Sequence, residues 1–277
     1  MESLASMATA PLDMSIGKMT GVRDLTWKGK RFKVVCNESK DHPSWWTHLD
    51  EFVTRDLWWN IAEGDIVLDI GAEFGSYSLT ALAAGASLVV AWSPPFKTAT
   101  PVEAHVLSLS AWESGFEDRL IIQPSGLWSA RGWLAASDGP EPPMFFRSRE
   151  EALAAVEGKT GCRTVFPVKT LDEFLETVPL TTRERGVRGL WRQPRKWWMK
   201  IDAEGSELEI LRGAKSFIST MRPNIIVENH PYVLKDAESV VEEFILGLRL
   251  GYEKVGTRPH YVVSHSLYID VEEQGAK

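Results

Sequence analysis

Cysteine is scarce in this chain: two residues among 277, Cys36 and Cys162. They lie far apart and form no metal-ligand spacing. A disulfide framework is not expected, and a reducing, cytoplasmic compartment is the default. No apolar run approaches membrane-spanning length. Met1 to Ser15 lacks the basic start and apolar core of a secretion signal. A basic excess is also missing. Lys and Arg number 31 against 38 Asp and Glu, a net charge of −7. That balance argues against a surface built to coat duplex nucleic acid, while leaving room for a local basic site.

Tryptophan, by contrast, is abundant. There are twelve, with pairs at Trp45-Trp46, Trp58-Trp59 and Trp197-Trp198. Most are expected in the core, and some could wall an acceptor pocket. The length suits one large domain, or one domain with an appendage. The division expected is an N-terminal extension over 1–60, with a small hairpin and a helical cap, and a main domain over 61–277.

The most informative stretch is Asp65-Ile66-Val67-Leu68-Asp69-Ile70-Gly71-Ala72-Glu73-Phe74-Gly75-Ser76-Tyr77-Ser78. Its apolar run reads as a strand covered on both faces. Gly71 and Gly75 permit a sharp turn and a close approach of backbone to ligand. A helix from Ser76 to Ala84 would then aim its first N–H groups at the crevice. The spacing is neither the Gly-x-Gly-x-x-Gly of dinucleotide folds nor a phosphate loop. Asp69, just ahead of the first glycine, would repel a pyrophosphate and suits a ligand with a cationic amine.

Taken in order, Leu25–Trp27 and Arg31–Val35 read as a hairpin, and His42 to Ala62 has near-helical apolar spacing. This N-terminal piece could act as a lid or could cap a sheet edge. Strands are expected at Ser87–Trp92, Arg119–Gln123, Trp197–Ile201 and Asn224–Glu228, and Thr164–Val168 could be another. Helices are expected from Thr100-Pro101-Val102-Glu103 to Ser114, from Thr170, from Ser206 to about Thr220, and over Asp236–Leu250. Ser125 to Trp133 reads as a loop or hairpin, and 137–150 as a surface loop. Gly251–Val255 and Tyr261–Asp270, joined by a short turn at 256–260, must be antiparallel. The fold class is therefore α/β: a seven-stranded, mostly parallel sheet with helices on both faces and an antiparallel terminal strand. Thr181 to Lys196 carries Arg183, Arg185, Arg188, Arg192, Arg195 and Lys196. It is either a solvated loop or a docking surface for an anionic partner.

These residues carry a resemblance. Trp198-Met199-Lys200-Ile201-Asp202-Ala203-Glu204-Gly205-Ser206-Glu207, then Leu211-Arg212-Gly213-Ala214, then the strand ending in Glu228-Asn229-His230, resemble the FkbM family of S-adenosylmethionine (SAM) methyltransferases. Asp69-Ile70-Gly71-Ala72 with Gly75 resembles that family's first motif, and Thr170-Leu171-Asp172 matches as well. Together these span roughly residues 60–255. The resemblance implies a class I methyltransferase fold, Rossmann-like, with SAM as cofactor. It assigns Asp69, Gly71, Ala72, Glu73, Gly75, Ser93 and Ser125 to the cofactor. One departure stands out. The family usually closes its second strand with Phe-Glu-Pro, whose Glu is expected to bind both ribose hydroxyls. Here Ala91-Trp92-Ser93-Pro94 has a serine in its place. Glu103 could substitute, although it also reads as the acid of a helix start. Glu73 stands where the family often has Asn.

The activity implied is O-methylation of a hydroxyl on a sugar or secondary metabolite. The acceptor is then a small molecule or glycan, with no membrane partner. Asp202 and His230, at the ends of adjacent strands, are the candidate catalytic residues. A divalent metal on Asp202, Glu228 and Asn229 is a lesser alternative. Two other functions remain open: a methyltransferase-fold binding module with weakened catalysis, prompted by Ser93, and a nucleic-acid methyltransferase using the basic 181–198 stretch.

Overall fold

The structure, a computed structural model, describes residues 19–37, 59–95, 102–137, 142–157, 163–177, 196–260 and 263–271. It begins with the expected hairpin, β1 (Met19–Trp27) and β2 (Lys30–Asn37), turning at Lys28-Gly29, both of positive φ. Then come β3 (Ile66–Ile70), α1 (Ser76–Ala84), β4 (Leu88–Trp92), α2 (Val102–Glu113) and β5 (Leu120–Gln123). After a second group of elements the chain continues through β10 (Trp197–Ile201) and β11 (Asn224–Asn229) to the closing pair, β12 (Tyr252–His260) and β13 (Val263–Asp270).

The main sheet has seven strands in the order β12-β13-β11-β10-β3-β4-β5. β11, β10, β3, β4 and β5 pair parallel, and β13 lies antiparallel to both its neighbours. β3, β4, β10 and β11 are buried along their whole length, because side chains on both faces are covered. Successive residues of β3 feed two different cores. Ile66, Leu68 and Ile70 join Met199, Ile225 and Val227 on one face. Val67 joins Val89, Leu79 and Ile226 on the other. Truncating a side chain such as Leu68, fully buried here, to alanine costs about 2–5 kcal/mol.

The hairpin belongs to that second face. Trp27, Phe32 and Val34 enter its core. Ser110 Oγ of α2 accepts from Val35 N at 2.9 Å, and Ser114 Oγ accepts from Lys33 N at 2.8 Å. Of the helix expected over His42 to Ala62, residues 42–58 lie outside the described residues, and 59–62 are not helical.

The sequence reading did not anticipate a second sheet of four strands, ordered β6-β9-β7-β8. It comprises β6 (Gly126–Leu127), β7 (Gly132–Ser137), β8 (Met144–Phe146) and β9 (Arg163–Lys169). The strand expected near 164–168 pairs here, not in the main sheet, because Phe166 and Val168 find their apolar partners in Leu134 and Ala136. The surface loop expected over 137–150 instead contains β8 and the start of α3 (Arg149–Val156). That helix is opened by a Ser148–Glu151 capping box.

α4 (Leu171–Thr177) starts as expected, with Thr170 Oγ1 accepting from Glu173 N at 2.9 Å. The helix expected from Ser206 to about Thr220 is split into α5 (Glu207–Arg212) and α6 (Lys215–Met221). The break falls at Gly213, where a Cβ would sit 2.2 Å from the Trp128 carbonyl oxygen. α7 (Ala237–Gly247) matches its expected position. Residues 256–260 are strand rather than the expected turn, because β12 continues to His260 past an irregularity between Lys254 and Gly256. Among the described residues, no helix is long and apolar enough to cross a membrane.

Candidate active site

The turn between β3 and α1 is held to its neighbours at several points. Gly71 N and Ala72 N both donate to Trp92 O at the end of β4, at 3.1 and 2.9 Å. Gly75 N donates to Ala72 O at 2.7 Å. Gly71 has φ +85°, and a Cβ there would lie 1.6 Å from the Asp202 carbonyl oxygen. Gly75 has φ +88°, and its missing Cβ leaves room for Leu107 of α2, 2.2 Å from where it would stand. Both glycines therefore let elements pack closely, in addition to turning the chain. Glu73 also adopts a left-handed backbone, φ 49°. Asparagine tolerates that region better than glutamate, which is a physical reason for the Asn that the resemblance leads one to expect.

Over the carboxyl ends of β3, β4 and β10 lies a cleft partly open to solvent. Of the residues expected from sequence, Gly71, Glu73, Ser93 and Asp202 line it. Asp69, Ala72, Gly75, Ser125 and His230 do not. Four carboxylates line it, those of Glu73, Glu103, Asp202 and Glu204, and no Lys, Arg or His among the described residues does. The remaining wall is largely apolar. The second sheet contributes Leu127, Leu134 and Phe166, facing Trp92 and Ile210. That wall could not be found from sequence, because its strands are short and meet only in the folded chain. Glu204 was also missed. It accepts from Tyr232 Oη at 2.7 Å.

Asp69 is buried beneath the cleft floor. Ser78 Oγ donates to its Oδ2 at 2.6 Å, and its strand partner across β10 is Lys200. Burial pushes its pKa up, against the opposing effect of Lys200. Lys200 is itself 1 % exposed, and sequence reasoning gave it no role. Its ammonium lies 2.8 Å from Asp202 Oδ2 and 4.5 Å from the Tyr77 ring centroid. Burial alone would lower its pKa. The carboxylates of Asp202, Glu228 and Asp69 outweigh burial and raise it. Burial likewise works to raise Asp202, but Lys200 and His230 hold that carboxyl well below the usual range. Asp202 is thus ionised while partly exposed to the cleft.

His230 is 2 % exposed and sits behind the cleft wall. Nδ1 lies 2.8 Å from Glu207 Oε1, and Nε2 faces Asp202, Glu204 and Glu228 at 3.6, 3.7 and 3.8 Å. Burial opposes protonation, but the bond to Glu207 and these charges push its pKa up to about 9. A histidine already carrying its proton at neutral pH has no lone pair for a hydroxyl proton, so the role of base considered for His230 does not suit it. Glu207 does more than pair with it. Its Oε1 also accepts from Ala203 N and Gly205 N, at 3.1 and 3.0 Å, and so shapes the turn after β10. Glu228 is raised by burial and by Asp202, and its Oε2 lies 2.8 Å from His265 Nε2.

The metal alternative meets a different geometry from the one expected. Asn229 turns away and donates to Ser264 and Ser266. Asp202, Glu228 and His230 instead bring one donor atom each within 4.8 Å of one another. The Lys200 ammonium already lies 2.8 Å from Asp202 Oδ2, so a divalent ion bound there would compete with it.

The sequence profile of the methyltransferase FkbM domain matches residues 69–253. The architecture is similar to that of the methyltransferase FkbM from Methylobacillus flagellatus. The TM-score is 0.52 at 17% identity, over 82% of this chain and 50% of that one. This chain therefore spans half the length of that protein. It is also similar to precorrin-6y C5,15-methyltransferase from Geobacter metallireducens, with a TM-score of 0.39 at 11% identity, over 76% of this chain and 81% of that one. No curated protein matches the sequence.

Proposed function

Because the chain belongs to the FkbM methyltransferase family, we propose that it uses SAM to methylate a hydroxyl of a small molecule or glycan. The observation that carries this reading is the charge of the cleft: four carboxylates and no basic side chain among the described residues that line it. Such a lining favours a ligand bearing a sulfonium and an ammonium. It opposes a dinucleotide pyrophosphate or a phosphorylated acceptor. The apolar wall of Trp92, Leu127, Leu134 and Phe166 suits a flat base or a ring.

Gly71, Glu73 and Ser93 are the residues we assign to the cofactor side of the cleft, and Asp202 to the acceptor side. When bound, SAM supplies an electrophilic methyl on its sulfonium. Asp202 orients the acceptor O–H as a hydrogen-bond acceptor and takes its proton. Held at low pKa by Lys200, it does so late, once the oxygen has become acidic on gaining its methyl. His230 and Glu207 position the turn that carries Asp202. The hairpin covers a sheet face, and no residue of it lines the cleft. We therefore assign the hairpin a capping role; residues 38–58 of the extension lie outside the described residues.

Calorimetry with SAM and with S-adenosylhomocysteine tests the reading, and no binding up to millimolar concentration would sink it. With an acceptor in hand, D202N should lower turnover about 100-fold or more while leaving cofactor affinity nearly unchanged. Ser93, short and neutral where a carboxylate suits a ribose, favours one other reading, a binding module without catalysis. Turnover of any acceptor rejects it. A nucleic-acid substrate would have to bring phosphates to this acidic cleft, and most of the basic 181–198 stretch lies outside the described residues.

A further inference from the structure

We infer that Glu103 grips the ribose diol of the cofactor in place of the residue that ends β4. The inference rests on the cofactor reading above and concerns how that same cleft holds its ligand.

In doubly wound sheets, a ribose diol is held by an acid placed after the nucleotide-binding turn, near the end of the following strand. β4 is that strand here, and Ser93 follows it. Ser93 is 3 % exposed, and its hydroxyl donates to Glu73 O at 3.3 Å. Its N–H is bonded to Gln123 O at 3.0 Å. A short hydroxyl committed to the turn cannot offer two acceptors to a diol, whereas a carboxylate can.

Among the four carboxylates of the cleft, two are engaged on the β10 side, Asp202 by Lys200 and Glu204 by Tyr232. Glu73 rides the glycine turn and is exposed. Glu103 differs from all three in being buried. It is 9 % exposed, stands in the first turn of α2, and lines the cleft together with Trp92, Ser93 and Pro94. Burying a carboxylate is costly unless neighbouring groups accept its charge. A buried carboxyl group lining this cleft offers two oxygens to two adjacent O–H donors. The helix-start pattern of its sequence neighbourhood explains why it would read as a capping acid alone.

The probes are S-adenosylhomocysteine and its 2′,3′-dideoxy analogue, measured by calorimetry on wild type and on E103Q. Wild type should prefer the diol about 100-fold, and E103Q should weaken S-adenosylhomocysteine by about 10- to 100-fold while leaving the dideoxy analogue nearly unchanged. The preference should then shrink to about tenfold or less. E103Q that keeps the wild-type preference would overturn the assignment, since a purely structural acid weakens both probes alike. If E103Q fails to fold, wild type and E103D decide. A wild type without preference, or an E103D that retains it in full, counts against Glu103. Wild type binding neither probe overturns the cofactor reading itself, which is a separate and recognisable result.

Discussion

Gly71 and Asp202 meet backbone to backbone: a Cβ on Gly71 would lie 1.6 Å from the Asp202 carbonyl oxygen. Two motifs some 130 residues apart in the chain thus share one contact at the cleft floor, where Asp202 N also donates to Ile70 O at 2.9 Å. G71A must push the β10 turn away and adopt a φ of +85°, which alanine resists. The expected loss is about 3 kcal/mol in urea unfolding. A variant within about 0.5 kcal/mol of wild type would show that this contact does not constrain the fold.

Lys200 is the buried cation against which Asp69, Asp202 and Glu228 are balanced. Removing it leaves buried negative charge without compensation. K200M should therefore cost about 3–5 kcal/mol, although methionine fills much of the same volume. The same variant should raise the Asp202 pKa, because Lys200 is what holds it down. Carbon-13 NMR of the Asp202 carboxyl would report that rise, and an unmoved titration would refute the assigned cause.

His230 makes stability depend on pH with a definite sign. Its pKa rises from 6.5 to about 9 on folding. The folded state therefore holds the proton more tightly. The stabilisation is full below the unfolded value of 6.5 and is lost as pH climbs through about 9. The difference corresponds to about 3 kcal/mol. Urea midpoints taken between pH 6 and 10 should fall for wild type and stay nearly level for H230N. A wild-type profile as level as the variant's would mean that His230 is not charged in the native state.

Glu73 occupies a left-handed backbone at φ 49°. Asparagine visits that region at less cost. E73N is expected to raise stability by about 0.5–1 kcal/mol, read as a higher melting temperature of the ligand-free protein. A lower melting temperature would indicate that contacts of the Glu73 side chain outweigh its backbone strain.

Local signals in the sequence were enough for the strand-turn-helix at Ile66–Ala84 and for the parallel core around it. Apolar runs, Gly71 and the Thr170 cap depend on neighbours a few residues away, and each formed where its pattern indicated. Asp202 was likewise legible, because the end of a parallel strand faces the crevice wherever the strand sits in the sheet. The chain by itself also determined the acid composition from which the cleft is drawn.

Other features were decided by tertiary structure. Thr164–Val168 has strand chemistry in either sheet, and the burial of Phe166 against Leu134 selected the smaller one. The helix begun at Glu207 ends at Gly213, a position that only glycine can fill beside the Trp128 carbonyl. His230 has an ordinary histidine's pKa in the sequence, and four carboxylates converging from the turn after β10, from α5 and from β11 push it up to about 9. Lys200 became a buried counter-ion by standing across the sheet from Asp69. Local propensity acts through the nearest few residues, whereas burial and charge act through space. The elements of this protein could therefore be read from its sequence, but the partners of its ionised groups were set when the sheet assembled.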